Sequence, residues 1–190
     1  MREALTDDLR LASTLAEYCG LSWQEPPCEP APLCYHDGRP SGLSYAAAPV
    51  AGQPPRYRGH TYGDGLCIGY RLADERCGRR LCVFPTVAAL DTALLTRLRD
   101  CDALLFDGTF WSDDELRVAG VSGSRATDMG HLPVGGPGGS LVQLASLAVP
   151  RKVYIHVNNT NPILIESAPE RRAVEAAGVE VGWDGYEFRL

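Results

Sequence analysis

The run Tyr154-Ile155-His156-Val157 stops at once on Asn158-Asn159-Thr160-Asn161-Pro162. No other stretch constrains the fold as strongly. A short β-branched run of this length suits a buried strand, expected here over 153–156. The Asn/Thr/Pro cluster ends it sharply. His156 is therefore expected at the C-terminal edge of a strand, where open α/β sheets place their ligand sites. Asn158, Asn159 and Asn161 each offer a donor and an acceptor. They can orient a polar substrate or the imidazole itself, or they can simply cap the strand.

Two further segments repeat this logic. Ala103-Leu104-Leu105-Phe106-Asp107-Gly108-Thr109-Phe110-Trp111 is a second apolar run that ends on a carboxylate, and Gly108 allows a tight turn just after it. Asp128-Met129-Gly130-His131-Leu132-Pro133 then leads into a glycine-rich loop and a helix. The order is strand-Asp, loop-His, helix, strand-His. Two imidazoles and a carboxylate converging on one sheet edge can hold a divalent metal or transfer protons.

These residues carry a resemblance. The strings LLFDGTFWSDDE, MGHLP with its glycine-rich loop, and YIHVNNTNPILIESAPERRAVEAAGVEVGWDG resemble the coenzyme PQQ synthesis protein B family of the metallo-β-lactamase superfamily. The likeness is dense from Asp102 to Gly185 and thinner upstream, through PPRYRGH, GDGLCIGYRLAD and GRRLCVFP. It implies an α/β fold, a metallo-β-lactamase-like αββα sandwich, and a part in pyrroloquinoline quinone (PQQ) biosynthesis. It implies an Fe(II)-dependent hydroxylation of the tyrosine part of a Glu–Tyr-derived PQQ precursor, with Zn as an alternative metal. A non-catalytic carrier that transports PQQ or its precursor is the competing role. Other PQQ biosynthesis proteins are implied partners.

Family members also carry an N-terminal cysteine cluster and an Asp-His metal motif. This chain has no D-H pair, no H-x-H and no C-x-x-C. The expectation is thus a single domain over 1–190 that resembles the C-terminal two-thirds of a family member. By that reading it is truncated before the first metal motif. Alone, it should bind metal weakly and not turn over.

By the resemblance, His156 matches the last histidine of the superfamily's metal shell and is the metal ligand. His131 matches a loop histidine that donates a proton in the phosphodiesterase branch; here it is an acid/base or a ligand. Asp107 orients His131 or a substrate amine, or it is a turn-forming aspartate. Asn158, Asn159, Asn161 and Thr109 are the candidate substrate-binding residues. Phe84-Pro85-Thr86 stands where hydrolytic relatives place a metal-bridging aspartate. Proline cannot ligate through its side chain, which argues against a binuclear hydrolase. The loop Gly135 to Ser140 lacks the Gly-Lys-Ser/Thr of a nucleotide loop and reads as flexible, tied to substrate access. Arg56, Tyr57 and His60 are weaker candidates for the same pocket.

Composition narrows the alternatives. A 190-residue chain with 45% hydrophobic residues fits one globular domain. A net charge of −6 with dispersed arginines argues against a nucleic-acid partner. The longest near-apolar stretch, 141–150, is too short for membrane insertion. The start, with Arg2, Glu3, Asp7 and Asp8, is not a secretory signal. A cytoplasmic protein is expected. Seven cysteines with no metal-like spacing read mostly as reduced thiols, Cys82 and Cys101 as core residues, while Cys28 and Cys34 flank a Pro-rich turn.

The remaining pattern predicts helices over 6–18, 92–99, 112–119, 140–148 and 169–177. It predicts strands over 43–50, 66–72, 80–85, 103–106, 179–183 and 186–188, with loops at 23–32 and 52–65.

Overall fold

The computed structural model describes residues 11–20, 24–51 and 67–190. The described elements run α1 (Ala12–Tyr18), β1 (Ala31–Cys34), β2 (Pro40–Val50), β3 (Cys67–Asp74), β4 (Arg80–Phe84), α2 (Thr92–Leu98), β5 (Ala103–Asp107), α3 (Glu115–Val118), α4 (Ser140–Ala145), β6 (Arg151–Ile155), α5 (Pro169–Ala176) and β7 (Glu180–Val181). The strands form a seven-stranded sheet in sequence order. β1 to β4 pair antiparallel, and β4 to β7 pair parallel. The switch at β4 follows from the connections. Short turns join β1 to β2 and β3 to β4, as antiparallel neighbours allow, whereas β4–β5, β5–β6 and β6–β7 are joined through helices, as parallel pairing requires.

Alternation along the strands sorts side chains between two faces. Cys82, Phe84, Leu104, Phe106 and Tyr154 pack with Leu94 and Leu98 of α2, Leu144 of α4 and Val174 of α5 in one apolar core. The alternate residues Leu81, Val83, Leu105 and Ile155 are only half-buried. This agrees with the α/β layering expected, with helices packed on one face of the sheet.

Several boundaries differ from the sequence reading. β1 lies partly inside the stretch expected to be a loop. It is an edge strand paired only with β2, and an edge tolerates Pro32. α3 begins at Glu115, because the Ser112 hydroxyl donates to Asp114 instead of capping a helix. The expected strand over 186–188 does not form. Tyr186 instead meets Trp183 edge-on and Phe188 at a tilt, and Arg151 lies over the Phe188 ring. α1 has no buried residue. The loop expected over 52–65, with Arg56, Tyr57 and His60, lies outside the described residues.

Register fixes the site. Phe84, Phe106 and Tyr154 are cross-strand neighbours. The chain therefore leaves β4, β5 and β6 at the same C-terminal edge, and Asp107 and His156 emerge side by side.

Candidate functional site

Asp107 ends β5 and is fully buried. Its Oδ2 accepts the Val87 backbone N–H at 2.9 Å and meets His131 Nδ1 at 2.8 Å. Its Oδ1 accepts the Thr109 backbone N–H at 3.1 Å and the Thr109 hydroxyl at 2.6 Å. A carboxylate offers about four lone-pair positions, and here all are taken. Distance alone admits Asp107 as a metal ligand, since one donor atom each of Asp107, His131 and His156 lies within 4.8 Å of the other two. Its saturation favours orienting the imidazole over ligation.

The same network assigns the tautomers. Asp107 only accepts, so His131 donates from Nδ1. The single proton of Thr109 Oγ1 is shared between Asp107 Oδ1 and the His156 carbonyl at 2.9 Å, both of which only accept. His156 Nδ1, 2.8 Å from that hydroxyl, must therefore be the donor. In its neutral form each imidazole is then left with a bare Nε2. A metal-binding histidine needs this: its second nitrogen held by an acceptor, its first one free. The rings lie 5.4 Å apart, inclined by 32°. The residues present thus fit a divalent metal.

Local structure sets each ring. Gly130 turns through φ 82°, the His131 N–H donates to the Ala126 carbonyl at 3.0 Å, and the ring meets Phe110 edge-on at 5.7 Å. The Leu132 N–H donates to the Val87 carbonyl at 2.7 Å, so the Pro85–Val87 loop grips both Asp107 and the His131 loop. His156 falls one residue beyond β6, correcting the expected strand end, and has φ 56°. A left-handed backbone costs a non-glycine residue about 1–2 kcal/mol, so the surroundings must hold it. The Gly108 N–H donates to the Ile155 carbonyl at 2.9 Å, and the Asn158 N–H to the Thr109 carbonyl at 3.0 Å. Gly108 is required there, because a Cβ would lie 2.7 Å from Tyr154 Cβ. Burial holds the Tyr154 phenol well above its ordinary pKa, an effect the Ser140 hydrogen bond opposes, so it stays protonated.

The candidate substrate residues separate. Asn161 is 2% exposed; its amide donates to the Gly108 and Thr109 carbonyls, and its Oδ1 accepts the Ile163 N–H. Thr109 is buried, with its hydroxyl committed between Asp107 and His156. The Asn158 side chain donates to Thr160. Only Asn159 of the four is exposed. The Gly135–Ser140 loop is internally bonded, since the amides of 139, 140 and 141 donate to the carbonyls of Gly136, Pro133 and Val134. Cys82 and Cys101 are buried, and Cys28 and Cys34 are exposed thiols. No described helix is long and apolar enough to cross a membrane.

Sequence reasoning missed three participants. The Val87 backbone leaves no signal in a side-chain pattern. Glu115 reads as a first-turn helix acid, yet it is only 7% exposed. Thr160 was hidden among the turn asparagines.

Comparison with known proteins agrees with this fold. A family model described as a beta-lactamase superfamily domain matches residues 1–157. The coenzyme PQQ synthesis protein B of Cupriavidus necator is 39% identical over 193 residues, covering 98% of this chain and 63% of that protein. Its counterpart in Azoarcus sp. (strain BH72) is 40% identical over 193 residues, covering 100% and 62%. The crystal structure of Zn(2+)-bound PqqB from Methylobacterium extorquens superposes with a TM-score of 0.81 at 30% identity, over 98% of this chain and 62% of that one. The chain thus spans a little under two thirds of the length of these relatives.

Proposed function

This chain belongs to the beta-lactamase superfamily, and on that footing we propose that it serves PQQ biosynthesis through a metal held at His156 and His131. The observation that carries the proposal is the pair of imidazoles whose Nδ1 atoms are both committed, to Asp107 and to Thr109. The relatives of similar sequence are PQQ synthesis proteins, one of them solved with zinc, which supports metal binding by this chain.

His156 binds the metal through Nε2. His131 supplies a second nitrogen or moves a proton at its own Nε2. Asp107 holds the His131 ring and its tautomer, and Thr109 does the same for His156. With Fe(II) bound, the centre would supply oxygen activation for hydroxylating the tyrosine ring of a Glu–Tyr-derived precursor, given a two-electron reductant. Asn159, exposed on the turn beyond β6, is the asparagine open to that substrate.

Because the chain alone is expected not to turn over, the test adds the N-terminal portion of a full-length relative and measures oxygen uptake with Fe(II), reductant and the dipeptide-derived precursor, with the product weighed by mass spectrometry. Gain of one oxygen atom, lost in His156→Ala and His131→Ala, supports hydroxylation. Tight binding of the precursor with no oxygen uptake rejects it in favour of a carrier.

A further inference from the structure

Glu115 is a buried carboxylate that the site chemistry does not use. α3 is only four residues long, and a glutamate in its first turn would ordinarily face water. Here Oε2 accepts the Trp111 backbone N–H at 2.6 Å, and Oε1 accepts the Thr160 hydroxyl. Thr160 Oγ1 in turn accepts from Asn158 Nδ2 at 2.5 Å. The direction of this chain is forced. The Trp111 amide and the Asn158 amide nitrogen can only donate. Thr160 must therefore send its one proton to Glu115, which needs both oxygens as acceptors.

The chain ends two residues from His156. The Asn158 N–H is bound to the Thr109 carbonyl, and its own carbonyl accepts the Asn161 N–H at 2.9 Å. With the side-chain NH2 tied to Thr160 as well, Asn158 is held at its backbone N–H, its carbonyl and its amide nitrogen. Val157, the one residue between, packs against the main core. His156, with φ 56°, thus lies between two anchored points, the Thr109 hydroxyl and Asn158.

We propose that Glu115 is a positioning residue for His156, acting through Thr160 and Asn158. It keeps His156 left-handed and its ring beside His131. The proposal rests on the reading of His156 as a metal ligand only for its effect on affinity; the effect on conformation stands without metal.

The experiment uses the isotope-labelled 190-residue chain with Thr160→Val, Thr160→Ser and Glu115→Gln. Valine removes the hydroxyl at equal size, serine restores it, and glutamine presents an NH2 group to one of two donors. Backbone couplings and ring 15N shifts of His156 are measured without metal, followed by Zn(II) titration and urea unfolding. Thr160→Val and Glu115→Gln should shift the His156 couplings and mix its tautomers while Thr160→Ser keeps both. Zn(II) affinity should fall about tenfold or more in the first two and stay within about twofold in serine. Unchanged His156 signals in Thr160→Val overturn the proposal. So does a loss in valine and glutamine that merely tracks a loss of global folding. His156→Ala is the separate control: if it leaves Zn(II) binding intact, the ligand reading fails while the metal-free signals still decide the role of Glu115.

Discussion

Asp107 shows how one residue can serve both fold and site. Its four donors come from three segments, Pro85–Val87, Thr109 and His131, so the carboxylate gathers loops that the sheet alone only brings near. Asn at this position presents an amide NH2 to at least one donor. Asp107→Asn should therefore cost about 1–3 kcal/mol of stability, read by urea unfolding. It should also weaken Zn(II) binding about 10–100-fold, because the His131 tautomer is no longer fixed. Equal Zn(II) affinity in the variant would remove Asp107 from the site. Gly108→Ala tests the adjoining backbone. The added Cβ meets Tyr154, which is fully buried and unable to swing away. A loss of about 1–3 kcal/mol is expected by the same measurement.

At the scale of elements, the β4–β5 pair carries the site on one end and an acid-sensitive tie on the other. Asp102, just before β5, accepts the Arg80 backbone N–H at 2.8 Å and the Arg79 guanidinium at 2.7 Å. These two bonds, the backbone one first, hold its carboxyl below the usual carboxylate range. A depressed folded-state pKa contributes stability that is present above the unfolded value of about 3.9 and is lost as pH falls through the folded value. Asp102→Asn should thus lower the melting temperature near neutral pH and shrink the loss of stability on acidification. Parallel melting curves of both proteins below pH 5 would contradict this. Phe84 is the packing counterpart at the other end of β4. It is wholly buried, and Gly69 on β3 leaves room for its ring. Phe84→Ala should cost about 3–5 kcal/mol.

For the whole molecule, metal binding and folding are linked. A ligand that binds only the folded chain stabilises it by about 2.7 kcal/mol at a hundredfold excess over Kd. Zn(II) should therefore raise the melting temperature of the wild-type chain and leave that of His156→Ala where it was. An equal rise in both would place the zinc elsewhere, for instance on exposed thiols. The apolar strands over 80–85, 103–106 and 153–156, the strand-end placement of Asp107 and His156 and the loop placement of His131 were legible in the sequence, because periodicity and abrupt polar stops are local signals. So was the likeness to PQQ synthesis proteins, carried by contiguous strings. What only the tertiary structure decided was which polar groups are already spent. Asn161 and Thr109 look like substrate groups in a string of letters. In the fold, neighbouring carbonyls, Asp107 and His156 occupy them. Glu115 looks like a surface helix acid and is buried against Thr160. Much of this saturation comes from partners 14 to 53 residues apart in the chain. No local pattern encodes that part, since those partners are chosen by the strand register and not by neighbours in sequence.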